Sequence, residues 1–274
     1  MFDNYLYVAK RGGVFAAGIG KCKIEGSDNP FFLFTTLRIL RVTHGSAKWR
    51  VGAKLLELHT GDIVFVNNAE PRRFVCVEDA PFEADVFALS PALLSMETSL
   101  FSLFYGGISS PIVKGGSQIG KKVSQILDTV QDLSKESGDF SDTAVHLLLS
   151  AACLIKTEFK ATEKSVSVSS AYAVARAIAL ISEELESIED VSDVARRVGL
   201  SREHFSVLFV KLAGTTPALY LRRARLERVI YILKCENVNI LDAALACGFS
   251  SSSGFYRAFS SEFGISPREL LKGR

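Results

Sequence analysis

Two stretches of this chain hold hydrogen-bonding side chains at related spacing. "SREHFSVLFV" begins at Ser201 and carries Arg202 and Ser206; "SSSGFYRAFS" begins at Ser251 and carries Ser252, Ser253, Tyr256 and Arg257. Each also contains an apolar stripe with helical spacing: Phe205, Leu208 and Phe209 in the first, Phe255, Ala258, Phe259 and Phe263 in the second. Ser201 and Ser251 suit helix starts, where a small hydroxyl residue caps the first turn and lets an anion such as phosphate approach the backbone N–H groups. Between the stretches, residues 217–234 hold Arg222, Arg223, Arg225, Arg228 and Lys234 against a single acid, Glu227. Such a set can contact a polyanion, through charge-assisted bonds to phosphates and side-chain bonds to base edges.

The elements that would position these residues are repeated. Asp190-Val191 and Asp193-Val194-Ala195 match Asn239-Ile240 and Asp242-Ala243-Ala244, and Val198-Gly199-Leu200 matches Cys247-Gly248-Phe249. Ser201, Phe205, Phe209, Gly214, Thr216 and Pro217 then match Ser251, Phe255, Phe259, Gly264, Ser266 and Pro267. Asp190 and Asn239 suit helix N-caps, with an acid three residues on facing the positive end of the dipole. Gly199 and Gly248 suit a left-handed turn, and Thr216-Pro217 and Ser266-Pro267 suit the start of a third helix. The unit predicted twice is short helix, tight turn, second helix, stop, third helix: a helix-turn-helix. A helical bundle with a duplicated helix pair would show the same repeat; the arginine-rich connection and the hydroxyl-led second helices favour a nucleic-acid partner.

Residues 172–273 resemble the DNA-binding domain of the AraC/XylS family of bacterial transcription regulators. The segment "ILDAALACGFSSSSGFYRAFSSEFGISPREL" is similar to that family's signature, and "YLRRARLERVIYIL" to its connecting helix. The resemblance implies two recognition helices entering successive major-groove segments about 34 Å apart. It places Arg202, Glu203, Ser206 and Val207 of the first helix, and Ser252, Ser253, Tyr256 and Arg257 of the second, against bases. Arg257 suits a bidentate contact to guanine; Glu203 suits either cytosine or a neighbouring cation; Val207 can give only apolar contact, for example to a thymine methyl. Ser201, Arg222, Arg223, Arg225 and Ser251 are the expected phosphate contacts. Gly254 stands where relatives usually carry a larger residue and costs the helix about 1 kcal/mol relative to Ala. With the serines, this points to a second recognition helix that leans on phosphate contacts and DNA shape. The resemblance further implies a transcriptional activator with double-stranded DNA and RNA polymerase as partners, acting as a homodimer.

The preceding part reads as α+β. From about Phe31 to Leu89, short alternating runs such as "LRILRV", "KLLELH" and "DIVFVN" predict many strands at close spacing, as in a sandwich or small barrel. "GDIVFVNNAEPRRF" is similar to the cupin-like sensor domain of many AraC/XylS members, so a β-barrel with flanking helices is expected. Arg38, Arg50, Arg72 and Arg73 are candidates for holding an anionic small-molecule effector, or for solvated strand faces. Heptad-like seams at Ile119, Val123, Ile126, Val130 and Leu133 and at Val145, Leu148, Ala152 and Ile155 can pack on each other, on the barrel or across a dimer axis. The serine-rich stretch 161–170 reads as a linker, which divides the chain into a sensor and dimerisation domain at 1–160 and a DNA-binding domain at 171–274.

Bulk properties are consistent with this reading. The 274 residues carry a net charge of +2, yet residues 191–274 hold 13 Lys and Arg against 7 Asp and Glu. A basic C-terminal third suits a polyanion. The five cysteines are scattered without C-x-x-C spacing, and the four histidines form no H-x-H, so no metal, no cofactor and no enzymatic activity are expected. No stretch reads as a signal peptide or membrane span, and a cytoplasmic, nucleoid-associated bacterial protein is expected.

Overall fold

The computed structural model describes residues 7–11, 14–24, 36–51, 54–66, 72–77, 81–95, 97–105, 112–135, 140–159, 167–235 and 238–272. The N-terminal part is built from strands β1 (Tyr7–Arg11), β2 (Val14–Ile24), β3 (Leu37–His44), β4 (Ser46–Val51), β5 (Lys54–His59), β6 (Ile63–Val66), β7 (Arg72–Val77), β8 (Phe82–Leu89) and β9 (Ile112–Val113). Strands β3 to β8 fall where the alternating runs predict them. β1, β2 and β9 extend the architecture beyond that prediction.

All pairings are antiparallel and form two sheets, ordered β1-β2-β8-β3-β6-β9 and β5-β4-β7. No pairing among the described residues joins the two, so the expected closed barrel is instead a pair of open sheets. They are held face to face by side chains: Leu40, Val42, Val64, Val66, Phe82 and Val86 of the larger sheet meet Ala47, Trp49, Val51, Leu58 and Phe74 of the smaller in one buried cluster. Trp49 stacks on Phe74 at 5.9 Å between ring centroids. The opposite face of the larger sheet is also apolar, because alternate residues Leu37, Ile39, Ile63, Phe65, Phe87 and Leu89 point to it. That face is covered by helices.

Those helices are α1 (Phe101–Tyr105), α2 (Gln118–Lys135) and α3 (Phe140–Lys156). Arg41 of β3 pins α2 to the sheet. It reaches Asp85 of β8 at 2.7 Å, Asp128 of α2 at 2.5 Å and Gln131 of α2 at 2.8 Å. The seams expected at a dimer axis are filled from within the chain. Val123, Val130, Val145, Leu148, Ala152 and Ile155 are fully buried in one core, with Ile119 and Ile126 packed at its edge; Leu133 is half-buried. The dimer assignment is corrected for the fully buried residues, because α2 and α3 pack on each other and spend Val123, Val130, Val145, Leu148, Ala152 and Ile155 inside the protomer.

The C-terminal part contains α4 (Val168–Glu183), α5 (Val191–Arg197), α6 (Arg202–Ala213), α7 (Pro217–Cys235), α8 (Ile240–Ala246), α9 (Ser252–Phe263) and α10 (Pro267–Lys272). Residues 161–166 of the expected linker lie outside the described residues. Its last residues are helical, because Ser167 caps α4 by accepting a bond from Ser170 N. α4 packs on the 3-10 turn at Pro91–Ser95 and on α6. The core of the sheet and of α1 to α3 therefore runs without a break through α4 (Val174, Ala177, Ile178, Ile181) into α5 (Val194, Ala195) and α6 (Phe205, Leu208, Phe209), ending at Tyr220 and Leu221. A separate cluster begins at Leu226 and gathers the later part of α7 with α8 and α9.

Candidate nucleic-acid interface

Each half of the repeat is built by the same local rules. Asp190 accepts a bond from Asp193 N at 2.9 Å, and Asn239 accepts one from Asp242 N at 2.8 Å; each starts a short helix, α5 or α8. Gly199 and Gly248 then turn the chain at φ of 73° and 84°, a left-handed region that a β-carbon disfavours. Ser201 caps α6 by accepting from His204 N, and Ser251 caps α9 by accepting from Gly254 N, both at 3.2 Å. Thr216 and Ser266 cap the helices that begin at Pro217 and Pro267, accepting from Leu219 N and Glu269 N.

The aromatic stripes close the interior. Phe205, Phe209, Phe255 and Phe259 are fully buried, with Phe209 edge-on to both Phe205 and Tyr220. The opposite faces of α6 and α9 meet solvent. Arg202, Glu203, Ser252, Ser253 and Arg257 are exposed, and Val207 is 67% exposed. Tyr256 is exposed and rests its ring edge-on to Phe255. Arg257 Nε points back at Ser253 O, at 3.4 Å. Ser206 is half-buried and donates its hydroxyl hydrogen to Arg202 O at 2.8 Å. Val210 and Ser260, one turn beyond Val207 and Arg257, continue the same exposed lines. The helical period alone could have found both, since each lies three residues past a chosen position.

The arginines of α7 divide by role. Arg222 has a 48% exposed side chain, 4.0 Å from Glu262, and remains open to an anion. Arg223 turns inward: its Nε donates to Glu262 Oε1 at 2.6 Å, which ties α7 to α9. Arg225 donates to Ile188 O at 2.8 Å and Glu189 O at 3.0 Å, which ties α7 to the entry of α5. Arg228 pairs with Glu186 at 3.1 Å. The phosphate assignment of Arg223 and Arg225 is therefore corrected: their guanidinium groups are spent on holding the two units together. At the other end, Arg197 bonds Asp193, Glu184 and the Ser187 carbonyl, joining α5 to the end of α4. The hydrogen bond from Arg197, aided by Arg196, holds the buried Asp193 carboxyl below the usual aspartate range.

The four arginines expected around an effector do not converge. Arg38 and Arg72 are buried between the sheets, where Arg38 donates to Thr36 Oγ1 and Arg72 lies over the Trp49 ring at 5.9 Å. Arg50 and Arg73 face each other across the β4–β7 pair, one residue out of step with Trp49, Val51, Arg72 and Phe74, and so lie on the other face of the small sheet. Among the described residues, no group of three His, Cys, Asp or Glu side chains could hold a metal ion. No described helix is long and apolar enough to cross a membrane.

The comparisons with known proteins bear on the same region. Residues 194–273 match the family model described as "Helix-turn-helix domain". The chain carries a helix-turn-helix domain over these residues. It is 33% identical over 97 residues to the HTH-type transcriptional regulator GbdR of Pseudomonas aeruginosa, covering 35% of this chain and 26% of GbdR. The chain thus spans about a quarter of the length of that relative. To the Msm operon regulatory protein of Streptococcus mutans it is 25% identical over 257 residues, 90% of each chain. The fold as a whole is that of ToxT from Vibrio cholerae, with a TM-score of 0.64 at 12% identity over 94% of this chain and 98% of ToxT. One ToxT structure has an unsaturated fatty acid bound.

Proposed function

We propose that this protein is a sequence-specific DNA-binding transcriptional regulator of the AraC type, acting in the bacterial cytoplasm. It sets α6 and α9 into successive segments of the major groove. The observation that carries this reading is the matched pair of capped, outward-facing helices joined through α7. Arg202, Glu203, Ser206 and Val207 meet bases in one segment, and Ser252, Ser253, Tyr256 and Arg257 in the other. Ser201, Ser251 and Arg222 contact phosphates. The relatives found are themselves named as regulators, which supports transcription control rather than catalysis.

The N-terminal sheets supply the control, and activation proceeds through contact with RNA polymerase. A small molecule with an anionic group is the proposed effector, held by Arg38 and Arg72, whose side chains are buried between the sheets. The fatty acid bound by ToxT supports small-molecule control on this fold. Footprinting of the full chain on duplexes selected from a random pool tests the reading. Two protected stretches on one face of the duplex, with centres about 10 base pairs apart, are expected. A single protected stretch, or protection without sequence preference, overturns the two-helix assignment.

A further inference from the structure

Val207, at 67%, is the most exposed large apolar side chain among the described residues, and Val210, one turn on, is 44% exposed. Both sit in the middle of α6, on the line that starts at Glu203. Neither favours the helix, since β-branched residues lose side-chain freedom there. The repeat supplies an internal control. The matching positions of α9 are Arg257 and Ser260, so the same two places are polar in one unit and apolar in the other. The valines are flanked by the exposed cations Arg202 and Lys211, which suits an anionic partner. The partner must then be a polyanion with apolar points on its surface. In the major groove of B-DNA the base pairs offer one such group, the C5 methyl of thymine.

We propose that Val207 and Val210 read thymine methyl groups on neighbouring base pairs, so that the first recognition helix selects thymine by its methyl while the second relies on Arg257. The inference rests on the DNA-binding reading above and names the chemistry that α6 selects. Side chains three apart on a helix stand about 5–6 Å apart at Cβ, a separation that can span adjacent base-pair steps.

The test replaces thymine with uracil, which removes the methyl and leaves the pairing face intact. Duplexes selected from a random pool by the full chain carry uracil at one thymine at a time, and affinity is read by fluorescence anisotropy. Two positions in the α6 segment are expected to weaken binding roughly fourfold each, the worth of one buried methyl. Val207→Ser and Val210→Ser should each abolish the sensitivity at one position, and Arg257→Ala should leave both ratios unchanged. Because the thymine-to-uracil ratio is taken within each variant, a general loss of affinity does not mimic the effect. Binding that is indifferent to uracil everywhere, or sensitivity that survives both serine substitutions, overturns the inference and leaves DNA binding standing. Failure to select any duplex overturns the DNA-binding reading, and this inference with it.

Discussion

Gly248 lies against the guanidinium of Arg225: a β-carbon at Gly248 would meet Nε and Cζ of Arg225 at 3.0 Å. Arg225 in turn holds the carbonyls of Ile188 and Glu189. One side chain of α7 thus supports both the entry to the first unit and the turn of the second. Gly199, the matching turn residue, has nothing within 4 Å of a β-carbon. Both glycines have positive φ, so Gly199→Ala should cost about 1 kcal/mol for the left-handed conformation. Gly248→Ala should cost about 2 kcal/mol more, because it also displaces a hydrogen-bonded arginine. Urea denaturation of the two variants checks this, and equal losses would refute the role given to Arg225.

Arg222 and Arg223 are adjacent but share Glu262 unequally: Arg223 bonds it at 2.6 Å, whereas Arg222 stands 4.0 Å away with its side chain 48% exposed. Arg222→Ala should lower the salt dependence of DNA binding by about one counterion, a slope change of roughly 0.9. Arg223→Ala should leave the slope as it is. It should instead destabilise the fold by about 3 kcal/mol, because it strips the main partner from Glu262, whose side chain is only 6% exposed. Binding isotherms across a salt series, with thermal melts of the same samples, separate the two effects.

Cys247 is buried at the end of α8, and burial pushes its thiol up to about 11. It should therefore resist alkylation in the native protein at neutral pH and react only after unfolding. The linkage has a definite sign. The unfolded thiol ionises near 9, below the folded value, so the contribution to stability is complete below about pH 9 and is lost as pH rises toward 11. The difference in stability between the parent protein and Cys247→Ala, followed from pH 8 to about pH 11, should show this decline.

Asp193 titrates in the opposite sense. Its folded carboxyl is held low by Arg197, so it stabilises the fold above the unfolded aspartate value of about 4, and that contribution disappears as pH falls through the lower folded value. Asp193→Asn should lower the melting temperature at pH 7 and flatten its fall below about pH 4. An acid limb as steep as that of the parent protein would show that the Arg197 contact contributes little.

The helix-turn-helix pair was legible in the sequence because its signals are local. Asp190 and Asn239, Gly199 and Gly248, and Ser201 and Ser251 each act within four residues, and the repeat states them twice. The roles of the α7 arginines were not legible. Arg223 meets Glu262 39 residues away and Arg225 meets Ile188 37 residues away, so neither contact leaves a trace in spacing. The seams of α2 and α3 show the complementary limit. Periodicity marks Val123, Val130 and Val145 as one-sided but cannot say whether a second protomer or the next helix covers them. Closure of the sheets failed for a related reason, because which strand pairs with which depends on long-range contacts that alternation does not encode.

The two helices proposed to read DNA are carried by different cores. α6 grows out of the core that also holds the sheet and α1 to α4, whereas α9 belongs to the cluster that starts at Leu226. The seam between them crosses α7, between Leu221 and Leu226. A graft that exchanges everything after this seam transplants α8 and α9 with their own core, provided that it keeps the contacts of Arg225 with Ile188 and of Arg228 with Glu186 that cross to the first unit. A graft of the first unit would have to bring its bed with it, so new specificities are more readily acquired at the C-terminal half.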